Sequence, residues 1–322
     1  MRNGFTRRQK SVYDPADCTR LAMLDQVSPH SPPVSVVVLT LNERGNIAAC
    51  LESCRWSDDV HVLDSGSTDG TVEIARAMGV QVHYNKFESF GQQRNWAIDN
   101  IPCKHQWHFH LDADERFTAD QVAEMLREIG PAGEASTKAG YLCPSKMIFL
   151  GHWLKYSGNY PSYQVRLFHK ERCRFMDFGH GQRENTAGEI GTLKEPYDHF
   201  NFSKGLGEWL AKHNGYSDRE SAQAVSVRTH GRPSIKQLRA MDPVDRRRAM
   251  KNLSYFLPTR GLFRFLYLYL WKLGLLDGTS GLRYSSLVSM YEYWIELKTL
   301  ERERPWNPKT LALAERMMKE RP

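Results

Sequence analysis

Two carboxylates one residue apart, Asp112 and Asp114, close the stretch Gln106-Trp107-His108-Phe109-His110-Leu111. That run alternates and is rich in aromatics, which predicts a strand running into a loop. On an extended chain residues i and i+2 point the same way, so the two carboxylates can converge, with only Ala113 between them. Converging carboxylates repel unless a positive charge separates them. A hard divalent cation, Mg²⁺ or Mn²⁺, takes oxygen ligands and can share them with phosphate. The plain alternative is a solvated turn in which Asp114 caps the next helix.

Two more polar loops follow apolar runs. Val34 to Leu41 is β-branched and long enough for a buried parallel strand, and Asn42-Glu43-Arg44-Gly45-Asn46 follows it. Asp59 to Leu63 reads as a second strand, ending in Asp64-Ser65-Gly66-Ser67-Thr68-Asp69-Gly70-Thr71. Helices are predicted from Asn46 as cap, over 71–78, over 90–100, and from a capping box at Thr118/Gln121 to about Ile129, with a third strand over 80–84. This alternation predicts a parallel α/β sheet. Ligands of such sheets bind outside the carboxyl ends of the strands, where all three loops should lie. There is no G-x-G-x-x-G after the first strand and no G-x-x-x-x-G-K-[ST], which argues against a dinucleotide fold and a phosphate-loop NTPase.

The 322 residues, 41% hydrophobic and 25% charged, are ample for a large core. No stretch has the roughly 18–20 apolar residues of a membrane span. Residues 1–10 are polar and basic, unlike a secretory signal, and the six cysteines show no C-x-x-C pair. Cys50 and Cys54 are expected to be buried thiols, and the cytoplasm is the expected compartment. Between Arg232 and Arg264 stand nine basic residues against two acidic ones, an excess equal to the whole chain's +7. Such a patch implies an anionic partner.

Three regions are expected: a tail and linker over 1–33, a catalytic domain over 34–202, and a helical region over 203–322. Within 139–202, strands are predicted at 141–150 and 163–168. Beyond, helices are predicted at about 203–227, 234–256, 259–274 and 281–301.

The three loops, in order, resemble a known set. Val36 to Glu43 is similar to the first strand and N-E turn of family 2 glycosyltransferases. Asp64-Ser65-Gly66-Ser67-Thr68-Asp69-Gly70-Thr71 resembles their D-x-G-S-x-D-G-T loop, and Asp112-Ala113-Asp114 their D-x-D motif. The resemblance covers about residues 34–200. It implies a GT-A fold, here an α/β mixed sheet with a helical C-terminal extension, a nucleotide-sugar donor, a divalent cation and an inverting transfer. Asp277-Gly278 and Gly281-Leu282, after the aromatic run 262–271, resemble the tail of the bacterial lipopolysaccharide core β-glucosyltransferase subgroup.

By that resemblance Asp112 leans to the ribose and Asp114 to the metal, with both as candidate metal ligands. Asp64 suits a nucleobase N–H, with Thr40 and Glu43 lining the other side of the pocket. Arg94 falls where the family places a basic residue near the nucleotide; an ordinary surface arginine is the alternative. Asp69 is expected to shape its turn. The general base should be a carboxylate or histidine facing the acceptor, and Glu184 is the candidate, with a scaffold glutamate paired to arginine as its alternative. His180, His199 and His213 are weaker candidates.

The aromatic, basic segment 256–276 suits a helix lying in the headgroup plane of an anionic membrane surface, with aromatics inward and Arg260, Arg264 and Lys272 on phosphates. The expected function is therefore hexose transfer from a nucleotide sugar, UDP-linked, to a lipid-linked glycan at the inner face of a bacterial cytoplasmic membrane. The rival is a basic nucleic-acid- or anionic-surface-binding protein without transferase activity. Its support is net charge alone, so no nucleic-acid partner is expected.

Overall fold

The computed structural model describes residues 32–131, 133–178, 181–239, 241–304 and 308–319. The expected tail, up to residue 31, and His180 lie outside the described residues. The chain divides into two compact units between Ser203 and Lys204.

In the first unit the Val-rich run forms β1 (Val34–Thr40), with Val34, Val36, Val37 and Val38 wholly buried. A strand covered on both faces has no polar side to alternate with, which is why the run is continuous. Parallel neighbours flank it: β2 (Val60–Asp64) on one side and β4 (Trp107–Asp112) on the other, with β3 (Gln81–Tyr84) beyond β2. Helices α1 (Ile47–Ser53), α2 (Thr71–Ala77) and α3 (Phe90–Asn100) make the crossovers. The order β3-β2-β1-β4 reverses direction between β1 and β4, creating a switch point at the carboxyl edge.

Beyond β4 the sheet becomes mixed. The chain continues through β5 (Glu115–Arg116), α4 (Ala119–Ile129), β6 (Gly140–Phe149), β7 (His152–Trp153) and β8 (Ser162–His169). It then passes through the hairpin β9 (Arg174–Phe178) and β10 (Gly181–Asn185), β11 (Ile190–Thr192) and β12 (Tyr197–His199). Strand β8 lies antiparallel between β4 and β6, while β12 joins β6 in parallel and β5 in antiparallel. Trp107, Phe109 and Leu111 pack with Ile47, Leu51, Val122 and Met125 on one face. Val37 and Leu63 pack with Ala97 of α3 and with Ile101 just after it on the other. Cys50 and Cys54 are buried and free, as expected.

The second unit is helical: α5 (Leu206–His230), α6 (Ile235–Leu238), α7 (Pro243–Ser254), α8 (Arg260–Leu266), α9 (Gly278–Glu303) and α10 (Pro308–Lys319). The single helix expected over 234–256 is two, because Pro243 has no N–H to donate and its ring would clash with an upstream carbonyl; it starts α7 instead. The helix expected over 259–274 keeps its α form only to Leu266, then runs as a π-helical turn to Trp271. Glycines set its closest approaches. A Cβ on Gly281 would stand 2.0 Å from the Gly274 carbonyl oxygen, so no other residue fits there. Among the described residues no helix is long and apolar enough to cross a membrane.

Arg260 is not an outward cation, as the headgroup-plane reading required. It pairs with Glu292 at 2.9 Å, both side chains only 11–12% exposed. Lys251 likewise pairs with Glu220 at 2.8 Å and Arg232 lies over Phe256. Part of the basic segment is therefore spent within its own unit.

Candidate active site

Strand register brings the sequence candidates to one edge. Thr40, the last residue of β1, lies opposite Asp64, the last of β2. Leu39 lies opposite Asp112, the last of β4. The first two loops are laced together. Asn42, at a φ of +54°, donates its N–H to Ser67 Oγ and accepts from Thr68 N–H. The Glu43 N–H donates to Thr71 Oγ1 and the Arg44 N–H to Asp69 Oδ2. Asp69 also accepts from the Thr71 N–H and hydroxyl, so it shapes the turn as expected. Asn46 takes the cap position of α1 without capping. Its amide instead donates to Glu43 Oε2 and to Ser203 Oγ, both at 2.7 Å.

Asp64 is buried, and its carboxylate accepts from Gly66 N–H, Ser67 N–H and Ser67 Oγ at 2.5–2.9 Å. Three donors leave one of its roughly four lone-pair sites for a ligand. Beside it the buried Thr40 hydroxyl has no partner among the described residues. A buried hydroxyl without a partner costs free energy, about 1–3 kcal/mol, and a bound polar group at this edge would recover it.

The acidic motif is held by two arginines. Arg94, on α3 and fully buried, reaches Asp112 Oδ1 at 3.3 Å and Gln182 Oε1 at 2.8 Å. Arg166, buried in the middle of β8, reaches Asp112 Oδ2 at 2.6 Å and Glu115 Oε1 at 2.5 Å. Burial works against ionising Asp112, but the charges of Arg166 and Arg94 outweigh it and hold its carboxyl well below the usual range. Burial pulls Arg94 down to about 10, Arg166 beside it adding to the effect. Burial pushes Glu115 up to about 7 despite Arg166.

Asp114 has a different partner. Pairing of β5 with β12 sets His199 opposite Glu115, and this places His199 Nε2 at 3.5 Å from Asp114 Oδ2. Asp112 and Asp114 thus have different partners, while the charge of Asp112 still bears on Asp114. Both oxygens of Asp112 accept from guanidinium groups, and Asp114 stands with an imidazole. Burial alone would lower the His199 pKa, but the hydrogen bond to Asp114 and the charges of Glu115, Asp114 and Asp112 raise it overall. A histidine with a raised native pKa stabilises the fold fully below its ordinary value and loses that contribution as pH rises through the native one. With chelator present, the stability advantage of the wild type over His199→Gln should therefore be larger at about pH 5.5 than at about pH 8.5. Urea titrations at the two pH values check this; an advantage that grows with pH contradicts it.

Glu184 lies on β10. A cavity of about 460 Å³ is lined jointly by Arg94 and Asp112 and by Tyr163, Gln182, Arg183 and Glu184. Among the described residues no ion pair joins a cation to the Glu184 carboxylate. Two ties fix the hairpin to α3: Asp177 accepts from the Gly91 N–H at 3.0 Å, and Asn95 pairs with the Phe175 backbone in both directions. A Cβ on Gly91 would meet the Met176 backbone at 3.0 Å, so a larger residue would press the hairpin away by a few tenths of an ångström. His213 stacks on Trp209 in the second unit.

Sequence reasoning missed Arg166 and the pairing of His199 with Asp114. Arg166 did leave a signal. A charged residue inside Val165-Arg166-Leu167-Phe168 must be paired if that strand is buried.

The parallel half-sheet with its switch point, the three polar loops at one edge and the mixed extension define a GT-A fold followed by a helical region. Residues 35–186, a little under half of the chain, match glycosyl transferase family 2, so this part of the chain is a domain of that family. It is 30% identical over 104 residues to the lipopolysaccharide core biosynthesis glycosyltransferase LpsC of Rhizobium meliloti (strain 1021), covering 31% of this chain and 36% of that protein. The match thus spans about a third of that relative's length. Glucosyl-3-phosphoglycerate synthase from Mycobacterium tuberculosis, solved with Mn²⁺ and uridine-diphosphate-glucose, is 20% identical. The likeness covers 46% of this chain and 49% of that one at a TM-score of 0.29. TarS 1–349 of S. aureus is 14% identical, over 83% and 88% of the two chains, at a TM-score of 0.36. Likeness at these scores says nothing of this chain's ligands.

Proposed function

We propose that this protein is an inverting, cation-dependent glycosyltransferase that moves a hexose from a UDP-sugar to a lipid-linked glycan. The observation that carries this reading is the shared cavity, which sets Glu184 in the same space as Asp112 and Arg94. Thr40, Glu43 and Asp64 at the neighbouring strand ends would take the nucleoside. Asp64 has one acceptor site left for a nucleobase N–H, and the Thr40 hydroxyl has no partner of its own.

The residues at the acidic motif fit a divalent cation by their chemistry. Asp114 offers a partly exposed carboxylate oxygen that suits Mn²⁺ or Mg²⁺, and the imidazole nitrogen of His199 beside it would favour Mn²⁺ of the two. When bound, the cation neutralises charge on the departing diphosphate. Asp112, fixed on both oxygens by guanidinium groups, is left to orient the donor. In the transfer itself the acceptor hydroxyl oxygen attacks the anomeric carbon as the bond to the diphosphate oxygen breaks. The diphosphate leaves with the bonding pair, and Glu184 takes the hydroxyl proton.

The lipid side of the proposal rests on the second unit. Leu262, Phe263, Leu266, Leu270 and Trp271 are exposed, Trp271 to 81%. An apolar run of this kind beside Lys272 suits the interface of an anionic membrane. The relative named for lipopolysaccharide core biosynthesis points the same way. In this reading the protein works peripherally at the cytoplasmic face of a bacterial membrane.

Thermal shift with UDP-glucose, UDP-galactose, UDP-N-acetylglucosamine and GDP-mannose, with and without Mn²⁺ or Mg²⁺, tests the donor. One UDP-sugar should stabilise the protein only when cation is present, by about 2.7 kcal/mol at a hundred times its Kd. Asp114→Ala should lose the cation-dependent part. Folded protein that none of the four stabilises would sink the proposal.

A further inference from the structure

At the opposite, amino-terminal edge of the same sheet lies a second group of side chains that the transfer does not use. Asp59 directly precedes β2, His61 lies within it, and Cys103 stands in the connection between α3 and β4. One carboxylate oxygen, one imidazole nitrogen and one thiol sulfur come within 4.8 Å of one another. Asp59 and His61 are buried, only 4–6% exposed, and Cys103 is half-buried. We propose that Asp59, His61 and Cys103 bind a borderline-soft divalent metal ion of the zinc class.

Three observations support a built site. First, the donor set is mixed. A hard ion such as Mg²⁺ takes oxygen ligands, whereas a thiolate with an imidazole and a carboxylate selects Zn²⁺ or its neighbours in the transition series. Second, the spacing fits. Two ligands at the usual 2.0–2.1 Å from a tetrahedral ion stand about 3.3 Å apart. Asp59 Oδ1 and His61 Nε2 are already 3.0 Å apart. Third, the atoms that would not touch the metal are held. Asp59 Oδ2 accepts from Ser35 Oγ at 2.5 Å and from the Lys104 N–H at 2.7 Å. His61 Nδ1 is 3.3 Å from His83 Nε2, which orients the ring with Nε2 toward Asp59. Ligating histidines and carboxylates are tied in this way through their second atoms.

A hydrogen bond between Asp59 and His61 accounts for two of the three groups. A hydrogen bond with Ser35 accounts for the Cys103 thiol, and the condition of His108 is left unexplained. That histidine is wholly buried, on the same sheet face, opposite Ser35 across β1 and β4. Neither of its ring nitrogens has a partner among the described residues. A metal-bound water in the fourth position would give the buried ring a hydrogen-bonding neighbour. The ion would join β2 to the chain entering β4, the strand that delivers the acidic motif. Its place is the far end of the sheet, so it serves as a staple and takes no part in transfer.

The full chain, freed of metal by chelator and dialysis, is titrated with Co²⁺. One equivalent should produce a near-ultraviolet thiolate-to-cobalt band and the visible bands of a tetrahedral ion, and Zn²⁺ should abolish both. Cobalt at the carboxylate and imidazole of Asp114 and His199 gives no thiolate band, so the two sites are distinguished. Cys103→Ser should lose the thiolate band. In the wild type, Zn²⁺ should slow alkylation of Cys103 at least tenfold, read residue by residue by mass spectrometry, a measurement that needs no variant. Absence of a thiolate band in folded protein, its survival in Cys103→Ser, or unchanged alkylation with Zn²⁺ would each show a hydrogen-bonded cluster only and overturn the proposal.

Discussion

Arg166→Met should cost about 3–5 kcal/mol of folding stability, the loss expected when one partner of a buried ion pair is removed. The methionine fills most of the space, so the loss is electrostatic. Arg166 reaches both Asp112 and Glu115, and Glu115 is wholly buried. Against a total of roughly 5–15 kcal/mol for a domain, the variant should unfold at much lower urea. Neutralising the stranded acid should recover part of the loss, so Arg166→Met with Glu115→Gln should be more stable than Arg166→Met alone. A single variant within about 1 kcal/mol of wild type would mean the arginine only lines a surface.

Glu184→Gln should lower turnover by about 10²–10⁴-fold, the range for losing a positioned general base, and leave donor affinity within about twofold. The separation follows from geometry. Glu184 sits on the β10 wall of the cavity, and no described cation holds it, so the amide disturbs no ion pair. The pH–rate profile should also lose its acidic limb, which a purely structural role would not change. Full activity in Glu184→Gln would place the base elsewhere. A parallel loss of donor affinity would make Glu184 part of the nucleotide pocket instead.

What the sequence disclosed, and what it withheld, followed the range of the interactions. The Val-rich β1, the Gly- and Asp-built turn after β2 and the strand into Asp112 are set by residues a few positions apart, and each was legible. Even Pro243, which splits the helix expected over 234–256, carried a local signal that the helical periodicity masked. His199 was different. It meets Asp114 through β5 and β12, strands of two and three residues whose pairing spans the chain from 115 to 199. Nothing short-range in such strands marks them. The division of Asp112 and Asp114 between different partners was hidden for the same reason. Adjacency on an extended chain is local, but Arg94 and Arg166 come from separate elements.

The clamp on Asp112 also bears on how far two ligands would assist one another. Asp112, Asp114 and Glu115 face Arg94, Arg166 and His199, three acids against three bases. The resting cluster is thus close to electroneutral before anything binds. A lone cation or a lone diphosphate would each unbalance it, whereas the two together would not. If the protein binds donor and cation as proposed, the two should be linked by a favourable coupling free energy, and by reciprocity each should tighten the other by the same factor.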